Sequence, residues 1–246
     1  MKDKIINSIS IILPIYNEEK RLKKSLNNFL FIKEKFGKIK TEFILINDGS
    51  SDDTDNIIKN FIKKKKKNIN LKYISYKKNN GKGFALKKGV EKSKNQWVLT
   101  CDIDFSTSPL QVLNWIKNNE INEKNICYFG SRKLKKSKIK YLIIRKFMGL
   151  LLSLILKLVL KINTKDTQCG FKMYYHNTAK KIFKKLKENG FSHDLEIILI
   201  ANKKNFLIKE LPVTWTHRDN SKINIFIHSL EFLYKIFILK IKNLNV

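Results

Sequence analysis

Three cysteines in 246 residues are too few, and odd in number, for a disulfide scaffold. Cys101, Cys127 and Cys169 also lack metal-ligand spacing, and their apolar surroundings fit a reduced, cytosol-facing compartment. Acidic residues are scarce: 21 Asp and Glu stand against 51 Lys and Arg, a net charge of +30. Such a chain attracts an anionic partner, be it nucleic acid, an anionic membrane surface or a phosphorylated substrate. Zinc-finger spacing, a basic zipper and an RNP-like aromatic motif are all missing, and the basic residues are dispersed, so no nucleic acid is expected. Lys, Asn and Ile are abundant everywhere, so much of the charge is compositional. The run Lys63 to Lys67 reads as a solvated helix end.

An uninterrupted apolar run of about 20 residues, the length that spans a bilayer, is also missing. Tyr141 to Ile162 is strongly apolar but broken by Arg145, Lys146, Lys157 and Lys161. The stretch from Ile223 to Ile241 carries His228, Glu231 and Lys235. Both read as amphipathic helices at a membrane interface, with lysines reaching toward headgroups, or else as core helices. Met1 to Ser8 is polar and does not read as a signal peptide. There is no internal repeat. The 43% apolar content is ample for a core, and the length gives one domain with an appendage: 1–222, including the apolar segment 141–162, and a C-terminal amphipathic helix over 223–246.

Against these absences stands a regular alternation. Strands are expected at Ile9 to Ile15, Thr41 to Ile46, Leu71 to Ser75 and Trp97 to Cys101. Helices are expected over Glu18 to Phe36, Asp53 to Lys65 (capped by Ser51 or Asp52), Phe84 to Ser93 and Pro109 to Asn118. Alternation with short connections predicts an α/β fold, a mostly parallel, doubly wound sheet flanked by helices. Ligands of such sheets bind beyond the carboxyl ends of the strands. The polar clusters Tyr16-Asn17-Glu18, Asp48-Gly49-Ser50 and Asp102-x-Asp104 all fall there.

Asp102-Ile103-Asp104 carries the most chemistry. In extended geometry residues two apart point the same way, so two carboxylates would emerge side by side and repel unless a cation lies between them. Oxygen ligands suit Mg2+ or Mn2+, which also bind substrate phosphates. The same pair could instead cap a helix. Asn80-Gly81-Lys82-Gly83 precedes a helix, and its N–H groups and Lys82 could face phosphate, although its spacing is not that of a Walker A loop. Asp48 offers an acceptor for a base imide N–H.

In this order, Pro14-x-Tyr16-Asn17-Glu18, Asp48-Gly49-Ser50-Ser51-Asp52-x-Thr54, Asn80-x-Lys82-Gly83 and Asp102-x-Asp104 resemble family 2 glycosyltransferases of the GT-A fold. A narrower set is Gly130-Ser131-Arg132, Asp166-Thr167-Gln168-Cys169-Gly170-Phe171-Lys172, Asp194-x-Glu196 and Trp215 with Ser221-Lys222. It resembles the dolichyl-phosphate β-glucosyltransferase branch and its bacterial polyprenyl-phosphate relatives. Asn47 departs from the family's frequent Asp, His193 from an aromatic, and Asn220 from a Gly. The N-terminal membrane anchor of the eukaryotic branch is not expected here.

The resemblance implies an inverting transfer of a hexose, glucose from UDP-glucose, onto a polyprenyl or dolichyl phosphate at the cytoplasmic face of a membrane. GDP-mannose as donor, or extension of a glycan, are the alternatives. It implies that Pro14, Tyr16, Glu18, Asp48 and Lys82 line the nucleotide-sugar pocket. Asp102 and Asp104 would hold Mg2+ or Mn2+, with Gln168 and Asp194 at the sugar and acceptor end. Arg132, Arg145, Arg218, Ser221 and Lys222 are the candidates for the lipid phosphate, since guanidinium forks fit phosphate.

Overall fold

The computed structural model describes residues 6–65, 69–139, 156–190, 192–216, 236–238 and 240–241. β1 (Ser8–Ile15) leads into α1 (Glu19–Phe36), β2 (Lys40–Asp48), α2 (Thr54–Lys65), β3 (Leu71–Tyr76), α3 (Lys82–Lys92), β4 (Trp97–Thr100) and α4 (Gln111–Lys117). β5 (Ile126–Ser131), β6 (Lys138–Ile139), β7 (Lys172–Tyr175), α5 (His176–Lys185), α6 (His193–Lys203), β8 (Leu207–Pro212) and β9 (Thr214–Trp215) follow. The first eight elements match the sequence expectation to within one or two residues at most ends.

Seven strands form one sheet in the order β3-β2-β1-β4-β7-β5-β8, and β6 pairs with β9 in a second small sheet. Pairings in the large sheet are parallel except around β7, which runs antiparallel to both β4 and β5. The strands on that half, β5, β7 and β8, were not foreseen. β5 is six residues buried on both faces, so it shows no alternation, and β7 is four residues running directly into a helix. Periodicity cannot separate such short apolar runs from helix segments.

Strand alternation divides the core into two layers. Ile9, Ile11, Leu13, Phe43 and Leu45 face α1, whose Leu22, Leu26, Phe29, Ile32 and Phe36 recur at helical spacing on one face. Phe29 stacks on Phe43 with centroids 4.5 Å apart. The helix stops at Gly37, whose φ of 56° suits a residue without Cβ. Ile12, Ile44 and Ile46 face the other way, onto Ala85, Leu86 and Val90 of α3 and, beyond them, α5 and α6.

Residues 156–160 are helical; Leu156 and Leu160 are buried, as is Ile236, all three in the α3-side core, while Leu158 and Phe237 are exposed. Among the described residues no helix is long and apolar enough to cross a membrane. Most of 141–162 and of the C-terminal helix expected over 223–246 lies outside the described residues, and with it the interfacial placement. Cys101, Cys127 and Cys169 are buried free thiols.

Gly89 fixes how closely α3 can approach β1: a Cβ there would lie 2.2 Å from Ile12 Cγ2. Ala normally strengthens a helix by about 1 kcal/mol over Gly. Here overpacking outweighs it, so Gly89→Ala should destabilise the protein by about 1–3 kcal/mol in urea unfolding.

Candidate active site

The strand order reverses between the parallel strands β1 and β4: β2 and β3 lie on one side of β1, and β4 on the other. The crevice at such a switch point is where open α/β sheets bind ligands. The loops entering it are tied together before any ligand is considered. Ser50 Oγ accepts the Asn17 N–H at 2.9 Å, Asn17 Oδ1 accepts the Ser51 N–H at 2.8 Å, and Thr54 Oγ1 accepts the Glu18 N–H at 2.8 Å. Asn17 sits at φ 53°, a left-handed conformation that Asn tolerates. Asp52 Oδ1 accepts the N–H of Thr54, the first residue of α2, while the Asp53 carbonyl, one residue on from the expected cap, opens the helix by accepting the Ile57 N–H. Pro14 lies near the end of β1, and Tyr16 projects from it, 45% exposed.

Asn47, the departure from Asp, is buried and uses both ends of its amide. Its Oδ1 accepts the Ser50 N–H, and its Nδ2 donates to Tyr73 Oη at 3.0 Å and Ser75 Oγ at 3.2 Å. A carboxylate could not donate these bonds. Tyr73 donates in turn to Asp55, and burial together with that bond pushes its phenol up to about 12.

The Gly-rich loop corrects a sequence expectation. Three of its four backbone N–H groups do not face an open phosphate site. Those of Asn80 and Gly81 donate to the buried Asp48 carboxylate, the latter at 2.6 Å, and that of Gly83 donates to the Asn189 carbonyl at 2.7 Å. Asp48 is therefore the brace of this loop. Lys82 alone extends from it into the crevice.

The acidic motif is also shaped differently from the extended geometry expected. β4 ends at Thr100, the Phe105 N–H donates to the Asp102 carbonyl at 3.1 Å, and Phe105 has φ 49°. Asp102-Ile103-Asp104 is thus a turn, and its two carboxylates meet different cations. Lys82 Nζ lies 2.7 Å from Asp102 Oδ1. Arg21 Nη1 lies 3.3 Å from Asp104 Oδ2, while its Nε and Nη2 grip Glu18 at 2.7 and 2.5 Å. Asp104 Oδ1 accepts the Ser106 N–H at 2.9 Å. The surrounding protein pushes the Asp102 carboxyl up, but Lys82 outweighs it and holds the pKa below the ordinary range. Sequence reading missed Arg21; its only signal was its place one turn after Glu18 on α1, among many other cations.

The far side of the crevice comes from β5, β7 and the segments around them. Arg132 is held by Asp166, which accepts its backbone N–H at 2.8 Å and its Nε and Nη2 at 2.8 and 2.9 Å. The Arg132 guanidinium stands 5.9 Å over the Trp215 ring. The Thr216 N–H donates to the Ser106 carbonyl at 2.8 Å, tying this end to the acidic turn. Asp102, Ser106, Arg132, Gln168 and Trp215 line one small cleft. Asp194 is buried at the start of α6, ion-paired with Lys172, and its Oδ1 is 3.4 Å from His193 Nε2. Burial pushes the His193 imidazole down. Glu196 accepts the N–H groups of Lys187 and Glu188. Asp102, Arg132 and Gln168 thus line one cleft, Lys82 pairs with Asp102, and Arg21 joins Glu18 to Asp104. Asp48 braces the loop of Lys82, Asp194 acts electrostatically on Lys82 and Asp102, and Pro14 and Tyr16 stand at the end of β1. Arg145, Arg218, Ser221 and Lys222 lie outside the described residues.

A sheet whose carboxylates and cations converge at its switch point has its ligand crevice there. Residues 10–183 match the family described as glycosyl transferase family 2. A dolichyl-phosphate beta-glucosyltransferase of Dictyostelium discoideum is 32% identical over 241 residues, covering 91% of this chain and 71% of that protein. The Homo sapiens protein of that name is 29% identical, covering 90% and 71%. The glucosyl-3-phosphoglycerate synthase of Mycobacterium tuberculosis shares the fold. Its complex with uridine diphosphate superposes at a TM-score of 0.68 with 14% identity, covering 98% of this chain and 81% of that one. Its complex with Mn2+, uridine diphosphate and glucosyl-3-phosphoglycerate gives 0.62 with 17% identity, covering 95% and 80%. The chain belongs to glycosyl transferase family 2: it is a glycosyltransferase with a GT-A fold.

Arg132 is the partner of a nearly buried carboxylate, and its loss would strand Asp166. Burial pushes the Asp166 carboxyl up, yet the Arg132 bonds hold it below its ordinary value. A depressed carboxyl stabilises the fold above its unfolded pKa of about 3.9 and loses that contribution as pH falls through the folded pKa. Arg132→Gln should therefore cost about 3 kcal/mol at pH 7. It should also flatten the acid limb of stability below about pH 4, read by urea unfolding across pH.

Proposed function

We propose that this chain transfers glucose from UDP-glucose to a polyprenyl or dolichyl phosphate, with inversion at the sugar. The observation that carries the reading is a single crevice lined by the acidic turn, Lys82 and the Arg132–Trp215 pair, in a chain about one-third identical to a protein named as a dolichyl-phosphate beta-glucosyltransferase. An anionic donor and an anionic acceptor need cations on both sides, and the crevice has them.

In this reading an oxygen of the acceptor phosphate attacks C1 as the bond from C1 to the diphosphate oxygen breaks. The phosphate is already anionic near neutral pH, so no side chain need remove a proton. This suits a site where burial pushes the His193 imidazole down, and where the paired Lys172 offsets the upward push of burial to hold Asp194 low. Tyr16 offers a face to the base, and Asp48 holds the loop that carries Lys82. Lys82 and Arg21 oppose the negative charge that grows on the diphosphate. Arg132, stiffened by Asp166 and Trp215, binds the acceptor phosphate, with Gln168 beside the sugar. Asp194 fixes Lys172 beneath the crevice. Arg145, Arg218, Ser221 and Lys222 complete the lipid-phosphate end, and segment 141–162 rests on the cytoplasmic face of a membrane.

The donor set fits a hard divalent cation. Asp102 and Asp104 supply oxygens only, Asp102 is 46% exposed to the crevice, and the Lys82 ammonium marks where positive charge is favoured. Among the described residues no cluster of three acidic, His or Cys side chains could hold an ion, so diphosphate oxygens and water would complete the shell. Mg2+ or Mn2+ bound there would supply Lewis-acid stabilisation of the leaving diphosphate. The fold neighbour that carries Mn2+ with uridine diphosphate supports this assignment.

Purified protein mixed with labelled UDP-glucose, a polyprenyl phosphate and Mg2+ should move label into the organic phase, and GDP-mannose should not replace the donor. Asp104→Ala should lower the rate about 10²–10³-fold. Transfer only from GDP-mannose would replace the donor, and transfer only to a growing glycan would replace the acceptor. Membranes carrying the protein should release it in carbonate, and release by high salt alone would argue against an interfacial segment.

A further inference from the structure

We infer that Lys82 is an internal counter-ion that competes with a divalent cation for Asp102 and moves to the nucleotide diphosphate when both ligands bind. This deepens the reading above and rests on its nucleotide and metal sites. Lys82 and Asp102 form a 2.7 Å pair that opens to the crevice, with side chains 25% and 46% exposed. Asp102 is the only carboxylate in ion-pair contact with Lys82 among the described residues. The backbone of Gly170 forms the seat of the pair: a Cβ there would lie 3.1 Å from Asp102 Oδ2 and 3.3 Å from Lys82 Nζ. The three atoms nearest that position all belong to the pair.

Arg21, the other cation of the motif, is anchored differently. Two hydrogen bonds bind it to Glu18, and its contact with Asp104 is the longer one, so it keeps its place whatever Asp104 does. Lys82 has a flexible stem, and the loop it leaves from is rigid, since Asp48 and Asn189 engage the N–H groups of Asn80, Gly81 and Gly83. These bonds occupy three of the loop's backbone N–H groups, and the ammonium is the loop's charged contribution. With no ligand present the pair neutralises Asp102, and a metal ion must compete with Lys82 for the carboxylate. A diphosphate offers Lys82 a second anion and vacates Asp102. Each ligand then favours the other, and by linkage the factor is the same in both directions.

The test is titration of the whole chain with Mn2+, following the free-ion electron paramagnetic resonance signal, with and without UDP, in wild type, Lys82→Met, Lys82→Gln and Lys82→Arg. Without nucleotide, the Met and Gln variants should bind Mn2+ about tenfold more tightly than wild type, and the Arg variant should resemble wild type. UDP should tighten Mn2+ binding by about tenfold or more in wild type, within the usual range of coupling between sites, and by clearly less in the neutral variants. Equal or weaker Mn2+ binding by both neutral variants without nucleotide overturns the inference, even where UDP tightens Mn2+ binding in every protein and so upholds the donor site. UDP that fails to bind wild type, beside tighter Mn2+ binding by the neutral variants, removes the donor assignment and leaves the competition for Asp102 standing. Wild type provides a check free of any substitution: Mn2+ must raise UDP affinity, read by calorimetry, and unchanged affinity overturns the exchange.

Discussion

Charge compensation at the switch point is the constraint around which this crevice is arranged. Three carboxylates, Glu18, Asp102 and Asp104, arrive from two strand ends, and low-dielectric surroundings make unpaired charges costly. Two cations answer them from helices on opposite faces of the sheet, Arg21 from α1 and Lys82 from α3. Each can reach the motif only because its helix is packed in register on the strands. The stacking of Phe29 on Phe43 sets α1, and the close contact of Gly89 with Ile12 sets α3. Core packing and site electrostatics are therefore one problem.

The second half of the chain repeats the device with deeper burial. Asp166 and Arg132, then Asp194 and Lys172, are pairs in which the acid is nearly inaccessible and the cation holds it ionised. Breaking a buried pair is far costlier than breaking a surface one. β7, antiparallel in an otherwise parallel sheet, carries Lys172 and lies between β4 and β5. It brings the Asp166 to Lys172 segment against the acidic turn, where a Cβ on Gly170 would meet both Asp102 and Lys82. That juxtaposition turns the open end of a half-sheet into a crevice with two walls.

A net charge of +30 invites a diffuse explanation, and the site shows how little the total says. Four cations, Arg21, Lys82, Arg132 and Lys172, contact specific carboxylates at the crevice, whereas most of the described lysines are exposed. What selects the four is the backbone that delivers them.

The sequence by itself determined the α/β class, the first four strands with their helices, and the clustering of polar motifs at strand ends, because period and turn chemistry are local. The order of Tyr16-Asn17-Glu18, Asp48-Gly49-Ser50, Asp102-x-Asp104 and the Asp166 to Lys172 run was enough for the family. Tertiary structure decided the rest. The antiparallel insertion of β7 depends on pairing between residues about 75 apart, which no local pattern encodes. The acidic motif becomes a turn because the Asp102 carbonyl accepts the Phe105 N–H. Asp48 braces a loop because residues 80 and 81 come to it through space. Which of 51 cations meets which of 21 acids is likewise invisible in composition, since a salt bridge is a matter of distance and burial, and only packing sets those.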